Sequence, residues 1–203
     1  MTDFEGENGR KGKGILFVIS STSGGGKTTL IGELLEMLPD LAVSVSHTTR
    51  QPRPVEADGI DYNFVSSDEF QRMIGEDEFV EWANVYGEFY GTSRKATGEI
   101  LAVGSDVLLD IDVQGGRQIK ERFPESVLIF VIPPQREELV RRLQERGTEK
   151  PEEIEVRLAQ ADKELALIGF YDYAIANDDL KIAADTLRCI VVAERCGVPR
   201  RTE

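Results

Sequence analysis

Cysteine is scarce in this chain of 203 residues, with only Cys189 and Cys196. They stand seven apart in a helical pattern, with no Cys-x-x-Cys and no histidine partner. Nothing therefore supports a metal site or a disulfide framework, and reduced thiols are expected. Histidine is scarcer still, His47 alone. No apolar run approaches the roughly 20 residues that a membrane helix needs. Basic charge is in deficit. The 24 Lys and Arg face 37 Asp and Glu, for a net charge of −13. General binding of nucleic acid wants a basic face, so that class is disfavoured, and the acidic surface reads as a device for solubility. Internal repeats and low-complexity tracts are lacking too. Residues 1–13, acidic at Asp3, Glu5 and Glu7, do not read as a signal peptide; a disordered tail on a cytoplasmic protein is expected.

What is present is an alternation of apolar runs with amphipathic stretches, the pattern of a parallel sheet covered by helices. Buried strands are expected at 15–20, 106–111, 127–132 and 173–176. Helices are expected at 27–37, 94–103, 114–122, 135–146, 152–168 and 180–195. Residues 45–93 differ, with turn formers and short aromatic strands around Tyr62, Trp82 and Tyr90. They read as a small mixed α/β insertion. Residues 147–151 break two charged helices, a hairpin suited to a mobile lid. The expected division is a core of 14–45, 94–135 and 169–203, the insertion at 46–93 and the lid at 136–168.

Three stretches carry chemistry. The first is Ser21-Thr22-Ser23-Gly24-Gly25-Gly26-Lys27-Thr28, between the apolar run Ile15 to Ile19 and the amphipathic segment Leu30 to Leu38. A strand, a glycine-rich turn and a helix start form a phosphate cradle, where main-chain N–H groups and the helix dipole face the anion. Lys27 would reach the outer phosphates and the Thr28 hydroxyl would ligate Mg²⁺. The ligand class is thus a nucleoside triphosphate with magnesium. Ser21 stands where the pattern wants glycine, and Gly24 and Gly25 give the turn its freedom.

The second stretch follows a short apolar strand at 42–45. Pro52 and Pro54 stiffen a segment bearing Arg50 and Arg53. Two arginines on a rigid loop with Tyr62 close by suit a second phosphate group. A solvated basic loop accounts for these residues equally well. His47 invites the role of general base, but a phosphate acceptor is already an anion and needs none. The third stretch is Val107-Leu108-Leu109-Asp110-Ile111-Asp112, a strand ending in acid. Its alternation would point Asp110 and Asp112 to one side, at the strand end where ligands sit in such folds and where a carboxylate orients magnesium or its waters.

With these stretches in view, residues Gly14 to Arg195 resemble the guanylate kinases. The resemblance is carried by Ser46-His47-Thr48-Thr49-Arg50-Gln51-Pro52-Arg53-Pro54 and by Asp58-Gly59-Ile60-Asp61-Tyr62-Asn63-Phe64-Val65-Ser66. Phe79-Val80-Glu81-Trp82-Ala83, Tyr90-Gly91-Thr92, Asp110 to Gly115 and Asn177-Asp178-Asp179-Leu180 add to it. It implies an α/β fold of the P-loop NTPase type, with a parallel sheet flanked by helices, a GMP-binding insertion and a helical lid. It also implies transfer of the γ-phosphoryl group of Mg·ATP to GMP, with dGMP a further acceptor. Arg50, Arg53, Tyr62 and Tyr90 would then hold the phosphate of GMP. Ser46, Glu81 and Thr92 would read the guanine, with Asp112 near the base. Residues Ser21 to Thr29 would bind ATP, with Asn177 and Asp178 near its adenine. Thr28, and Asp110 through water, would hold Mg²⁺. Lys27 and Arg53 would act on the reacting phosphates, joined by Arg146 and Arg157 from the lid, with Arg142 a third lid candidate. The resemblance leaves a homo-oligomer open. Scaffold modules that resemble guanylate kinases and bind phosphopeptides usually lack an intact phosphate loop, which is present here.

Overall fold

The computed structural model describes residues 14–22, 25–133, 140–141 and 151–197, without the side chains of 151–154, 156 and 157. Its centre is β1, Leu16–Ser21. Around it lie β2 (Ala42–Val43), β7 (Val107–Asp110), β8 (Val127–Ile132) and β9 (Tyr173–Ala176). They form one parallel sheet in the order β2-β7-β1-β8-β9. Such a sheet is covered on both faces, which is why its central strands read as unbroken apolar runs.

Alternate residues of β1 feed two cores. Phe17 and Ile19 join Ile129, Val131 and Leu108 beneath α1 (Lys27–Met37) and α6 (Leu180–Arg195). Leu16 and Val18 join Leu109, Leu128 and Ile119 on the opposite face, beneath α3 (Arg94–Ala102) and α4 (Val113–Arg122). Helix α5, Pro151–Leu165, follows the sheet's fourth strand in chain order. Because β1 has β7 on one side and β8 on the other, the chain order reverses at β1. The carboxyl ends of β1 and β7 therefore border the crevice where ligands sit in open α/β sheets.

The insertion builds its own sheet. Strands β3 (His47–Thr48), β4 (Asn63–Phe64), β5 (Phe79–Val85) and β6 (Glu88–Ser93) run in the order β4-β3-β6-β5. The β5–β6 hairpin turns on Tyr86 (φ 54°) and Gly87 (φ 90°), both left-handed, as a two-residue turn matched to strand twist requires. The pairing shifts register between Phe79 and Glu81. This bulge sends Phe79 and Trp82 to a separate cluster with Phe70 and Met73, and frees Glu81 to face elsewhere.

The sequence analysis placed four core strands and five helices within two residues of their observed ends, apart from the last turn of α5. Helix α2, Ser67–Gly75, was not anticipated. Its signal was legible: Ser66 accepts from the Glu69 N–H at 3.1 Å, the first half of a capping box. The helix expected at 135–146 and the break at 147–151 fall mostly outside the described residues.

Gly91 lies opposite Trp82, and a Cβ there would meet the rings of Phe79 at 2.9 Å and Phe70 at 3.0 Å. Those rings are fully buried and stacked at 4.6 Å between centroids. Gly91→Ala should therefore destabilise the fold by about 1–3 kcal/mol, read as a lowered thermal or urea midpoint.

Candidate functional site

Helix α1 starts differently from its neighbours. Helices α2, α3, α4 and α6 are each capped by a side chain, from Ser66, Ser93, Asp112 and Asp179. Helix α1 has Gly26 at that position, left-handed at φ 82°, with no side-chain cap and no acid in its first turn. Its first residue is Lys27, a cation at the positive end of a helix. A cation there is unfavourable by itself and calls for an anion beside it. The turn is tightened by Gly25 N–H donating to the Thr22 carbonyl at 3.0 Å. Ser21 fits where glycine was expected because Gly25 lacks a Cβ. An added Cβ would lie 3.0 Å from that of Ser21. The left-handed glycine is Gly26, and Ser23 and Gly24 lie outside the described residues. Thr28 and Thr29 are exposed. Asn177 is buried, and its side-chain amide donates to the Gly25 carbonyl at 2.9 Å, bracing the loop from the end of β9. Asp178 is exposed.

Lys27 reaches across to the end of β7. Its Nζ donates to the Ile111 carbonyl at 2.8 Å and lies 2.6 Å from Asp110 Oδ1. The strand stops at Asp110, so the expected alternation does not extend to Asp112. That residue caps α4 instead, with Oδ1 accepting from the Gly115 N–H at 2.9 Å and Oδ2 from Gln114 at 3.0 Å. The side chain of Asp112 thus closes the amino end of α4 rather than projecting from the strand.

Glu81 sits against that same helix. It is 3 % exposed. Its Oε1 accepts from the Thr92 hydroxyl at 2.5 Å. A Cβ on Gly115 would fall 2.4 Å from Oε2, so a side chain at 115 would push the carboxylate out of this position. Burial pushes the Glu81 carboxyl up to about 7; the Thr92 hydroxyl opposes this and the charge on Asp112 adds to it. The strand that carries Glu81 is an edge strand, and α4 closes its edge. Gln118 accepts from the Trp82 N–H at 3.3 Å and donates to the Trp82 carbonyl at 2.8 Å. Arg122 donates to the carbonyls of Phe79 at 3.1 Å and Val80 at 2.6 Å. Neither residue was singled out from sequence, since a backbone clamp leaves no motif. Ser46 and Thr92 are buried nearby in sheet order, on the strand-end and strand that flank this region.

The arginine loop is ordered by a carboxylate that sequence reasoning passed over. Arg50 is gripped in two-pronged fashion by Glu56, and its guanidinium carbon lies 5.3 Å from the centre of the Tyr62 ring. Tyr62 and Tyr90 meet edge to face at 5.9 Å. The Tyr62 hydroxyl is pushed up to about 12, by burial first and by the charge on Asp110 next. The insertion's clamp thus feels the carboxylate at the end of β7. Arg53 is largely exposed, its guanidinium 3.7 Å from Glu56. His47 packs edge to face on Phe79 at 5.7 Å, and burial lowers its pKa. It belongs to the insertion's core. Arg142 and Arg146 lie outside the described residues, as does the side chain of Arg157. Among the described residues no cluster of three or more His, Cys, Asp or Glu could hold a metal by itself.

The model of the family described as guanylate kinase matches residues 13–194. The guanylate kinase of Desulfitobacterium hafniense is 48% identical over 188 residues, covering 93% of this chain and 94% of the relative. That of Escherichia coli K12 is 48% identical over 193 residues, with 94% and 93% covered. The crystal structure of guanylate kinase from Anaplasma phagocytophilum superposes with a TM-score of 0.77 at 35% identity, covering 93% of this chain and 89% of that one.

A carboxyl whose folded pKa is raised favours the fold while both states are protonated, below about pH 4.5. That contribution is lost as pH climbs to about 7. Glu81→Gln removes the titration. Without nucleotide, the variant should gain stability over the parent as pH rises from 4.5 to 8, by on the order of 3 kcal/mol, in denaturant titrations at each pH.

Proposed function

The chain belongs to the guanylate kinase family and transfers a phosphoryl group from ATP to GMP, and from that premise we propose how its own residues divide the work. The loop Ser21 to Thr29 takes the phosphates of ATP. The support is the uncapped start of α1, whose main-chain donors have no side chain to satisfy them while Lys27 is held at their mouth. Asn177 serves this loop from beneath, and Asn177 and Asp178 border the adenine. Arg50, Arg53, Tyr62 and Tyr90 take the phosphate of GMP, and Ser46, Glu81, Thr92 and Asp112 take its base.

The observation that carries the reading is the continuity of the two halves. Lys27 binds the Ile111 carbonyl; the next residue, Asp112, caps α4; and the first turn of α4 packs Gly115 on Glu81. One short segment therefore fixes a lysine for the donor and a carboxylate for the acceptor. A buried carboxylate can accept from the N1–H and exocyclic amine of guanine. Adenine offers no such donor pair and would leave the charge unpaired, which is the strong form of discrimination.

Mg²⁺ is suited by hard oxygen donors and draws most of its ligands from water and phosphate. The exposed Thr28 hydroxyl and the Asp110 carboxylate fit that demand without a cluster of acids. When bound, the ion would neutralise charge on the transferring phosphates. The acceptor is an anionic phosphate oxygen, so transfer is direct and in line, with no general base and no covalent intermediate. Arg146 and Arg157, with Arg142, close from the segment 136–168 over the spread charge of a loose transition state. The acceptor contacts proposed here make no use of the ribose 2′-hydroxyl, so dGMP is accepted as well. Among the described residues no helix is long and apolar enough to cross a membrane, and the two cysteines are free thiols; the enzyme is assigned to the cytoplasm.

Two measurements test the division. Lys27→Ala should lower kcat by about a hundredfold or more while the chain stays folded, with only a modest fall in the thermal midpoint as Asp110 loses its partner. The KM for GMP should rise as pH falls below about 7, where Glu81 takes up its proton. The phosphate of GMP also titrates nearby, so the comparison is with Glu81→Gln. That variant should show a KM raised by about a hundredfold at pH 8 and a flatter pH profile.

A further inference from the structure

The acceptor-side arginines already hold an anion, and it is the protein's own. Glu56 Oε1 accepts from Arg50 Nη2 and Oε2 from Arg50 Nη1, each at 2.9 Å. This is the forked geometry that a guanidinium offers to a carboxylate or a phosphate. Oε2 accepts in addition from the Arg53 N–H at 2.8 Å, while the Glu56 N–H donates to the Arg53 carbonyl at 3.0 Å. Arg50 Nη1 also donates to the Gln51 carbonyl at 2.8 Å. The side chains of Arg50 and Glu56 are 18% and 11% exposed, so the pair is half-buried, whereas Arg53 is 65% exposed. Glu56 raises the pKa of Arg50 further and is itself held below the usual carboxylate range, chiefly by Arg50.

We propose that Glu56 is a positioning residue for the phosphate of the acceptor nucleotide. Its carboxylate fixes the Arg50 guanidinium beside Tyr62 and ties the Arg53 backbone into the same turn, so that the clamp is assembled before GMP arrives. The proposal rests on the reading that Arg50 and Arg53 hold that phosphate. Glu56 occupies the end-on edge of the guanidinium, between Nη1 and Nη2. That leaves Nε and the second hydrogen of Nη2 outside the fork, on a guanidinium that the Tyr90 hydroxyl also approaches. A placeholder expelled by the phosphate would have to break two charge-assisted bonds and the turn at 53–56 together. A splint keeps all of them. The charge balance agrees: one carboxylate faces two guanidinium groups, with Arg50 paired closely and so contributing direction, and the exposed Arg53, 3.7 Å from the same carboxylate, contributing the surplus positive charge.

The test uses the full chain with three variants, Glu56→Ala, Glu56→Gln and Arg50→Ala. Binding of GMP is compared with binding of guanosine, which keeps the base and lacks the phosphate. For Glu56→Ala the Kd and KM for GMP should rise about ten- to hundredfold, since a charge-assisted pair is lost. The inhibition constant of guanosine, the KM for ATP and kcat should stay close to the parent's. Glu56→Gln keeps one acceptor at the same place and should lose less. Tighter GMP binding by Glu56→Ala would make the carboxylate a placeholder and overturn the proposal. Unchanged GMP binding would overturn it as well, and so would equal losses for GMP and guanosine, which signal general damage. Arg50→Ala separates the two readings. If it leaves GMP affinity intact, the phosphate clamp itself is misassigned and the role of Glu56 falls with it; if it weakens GMP while Glu56→Ala does not, only the role of Glu56 fails.

Discussion

Two cations of this site are each held by a carboxylate of the same chain. Lys27 lies on Asp110 and Arg50 on Glu56. The constraint behind both pairs is electrostatic. A kinase acting on a nucleotide must bring two polyanions together, and unpaired cations waiting for them would repel one another and wander. Pairing each with a local carboxylate fixes its direction at little net charge. The chain as a whole carries −13, so the positive field at the site is local, and orientation matters more than total charge. Pairs of this kind are weak when exposed and consequential when half-buried, because removal of one partner strands the other. Both pairs here are in the second category.

Much of the fold was legible because the sheet is parallel. Strands covered on both faces must be apolar along their buried length, and the runs at 16–19, 107–109 and 127–132 are. The glycine-rich turn before α1 was legible because glycine spacing announces backbone shape, and Gly26 is left-handed there. Helix α2 escaped because its two core residues, Phe70 and Met73, sit among acids in a stretch already marked by aromatic strands. The capping signal at Ser66 was local and outweighed by that context.

The site was legible where a motif carries it and opaque where tertiary contacts do. Arg50 and Arg53 stood out as arginines on a segment stiffened by two prolines, but their residues alone left a solvated loop equally open. What the structure adds is Glu56, six residues from Arg50, which orders the loop, and no spacing rule predicts that its carboxylate folds back. Asp112 illustrates the reverse case. The two-residue period of a strand suggested that it shares a side with Asp110. The strand ends one residue too early, and the carboxylate is taken by a helix cap. Gln118 and Arg122 bind only main-chain atoms, so their partners carry no side-chain signature at all.

Those main-chain contacts bear on selectivity. Glu81 is an expensive residue to bury, and its carboxyl resists ionisation because burial removes it from solvent. A free edge strand would relieve that penalty by swinging the carboxylate toward water. Helix α4 forbids it, with Gln118 fastened to Trp82 on one side of Glu81 and Arg122 to Val80 on the other. Gly115 then lets the helix approach to the point where a single methyl would collide with Oε2. The carboxylate is thus kept in an environment it would leave if it could, and two matched donors on a ligand are what make that environment tolerable. Discrimination of this kind arises from the discomfort of the empty site as much as from the comfort of the filled one. Because α4 begins at the carboxylate cap that follows the Lys27 contact, the same turn that holds Lys27 keeps Glu81 from relaxing.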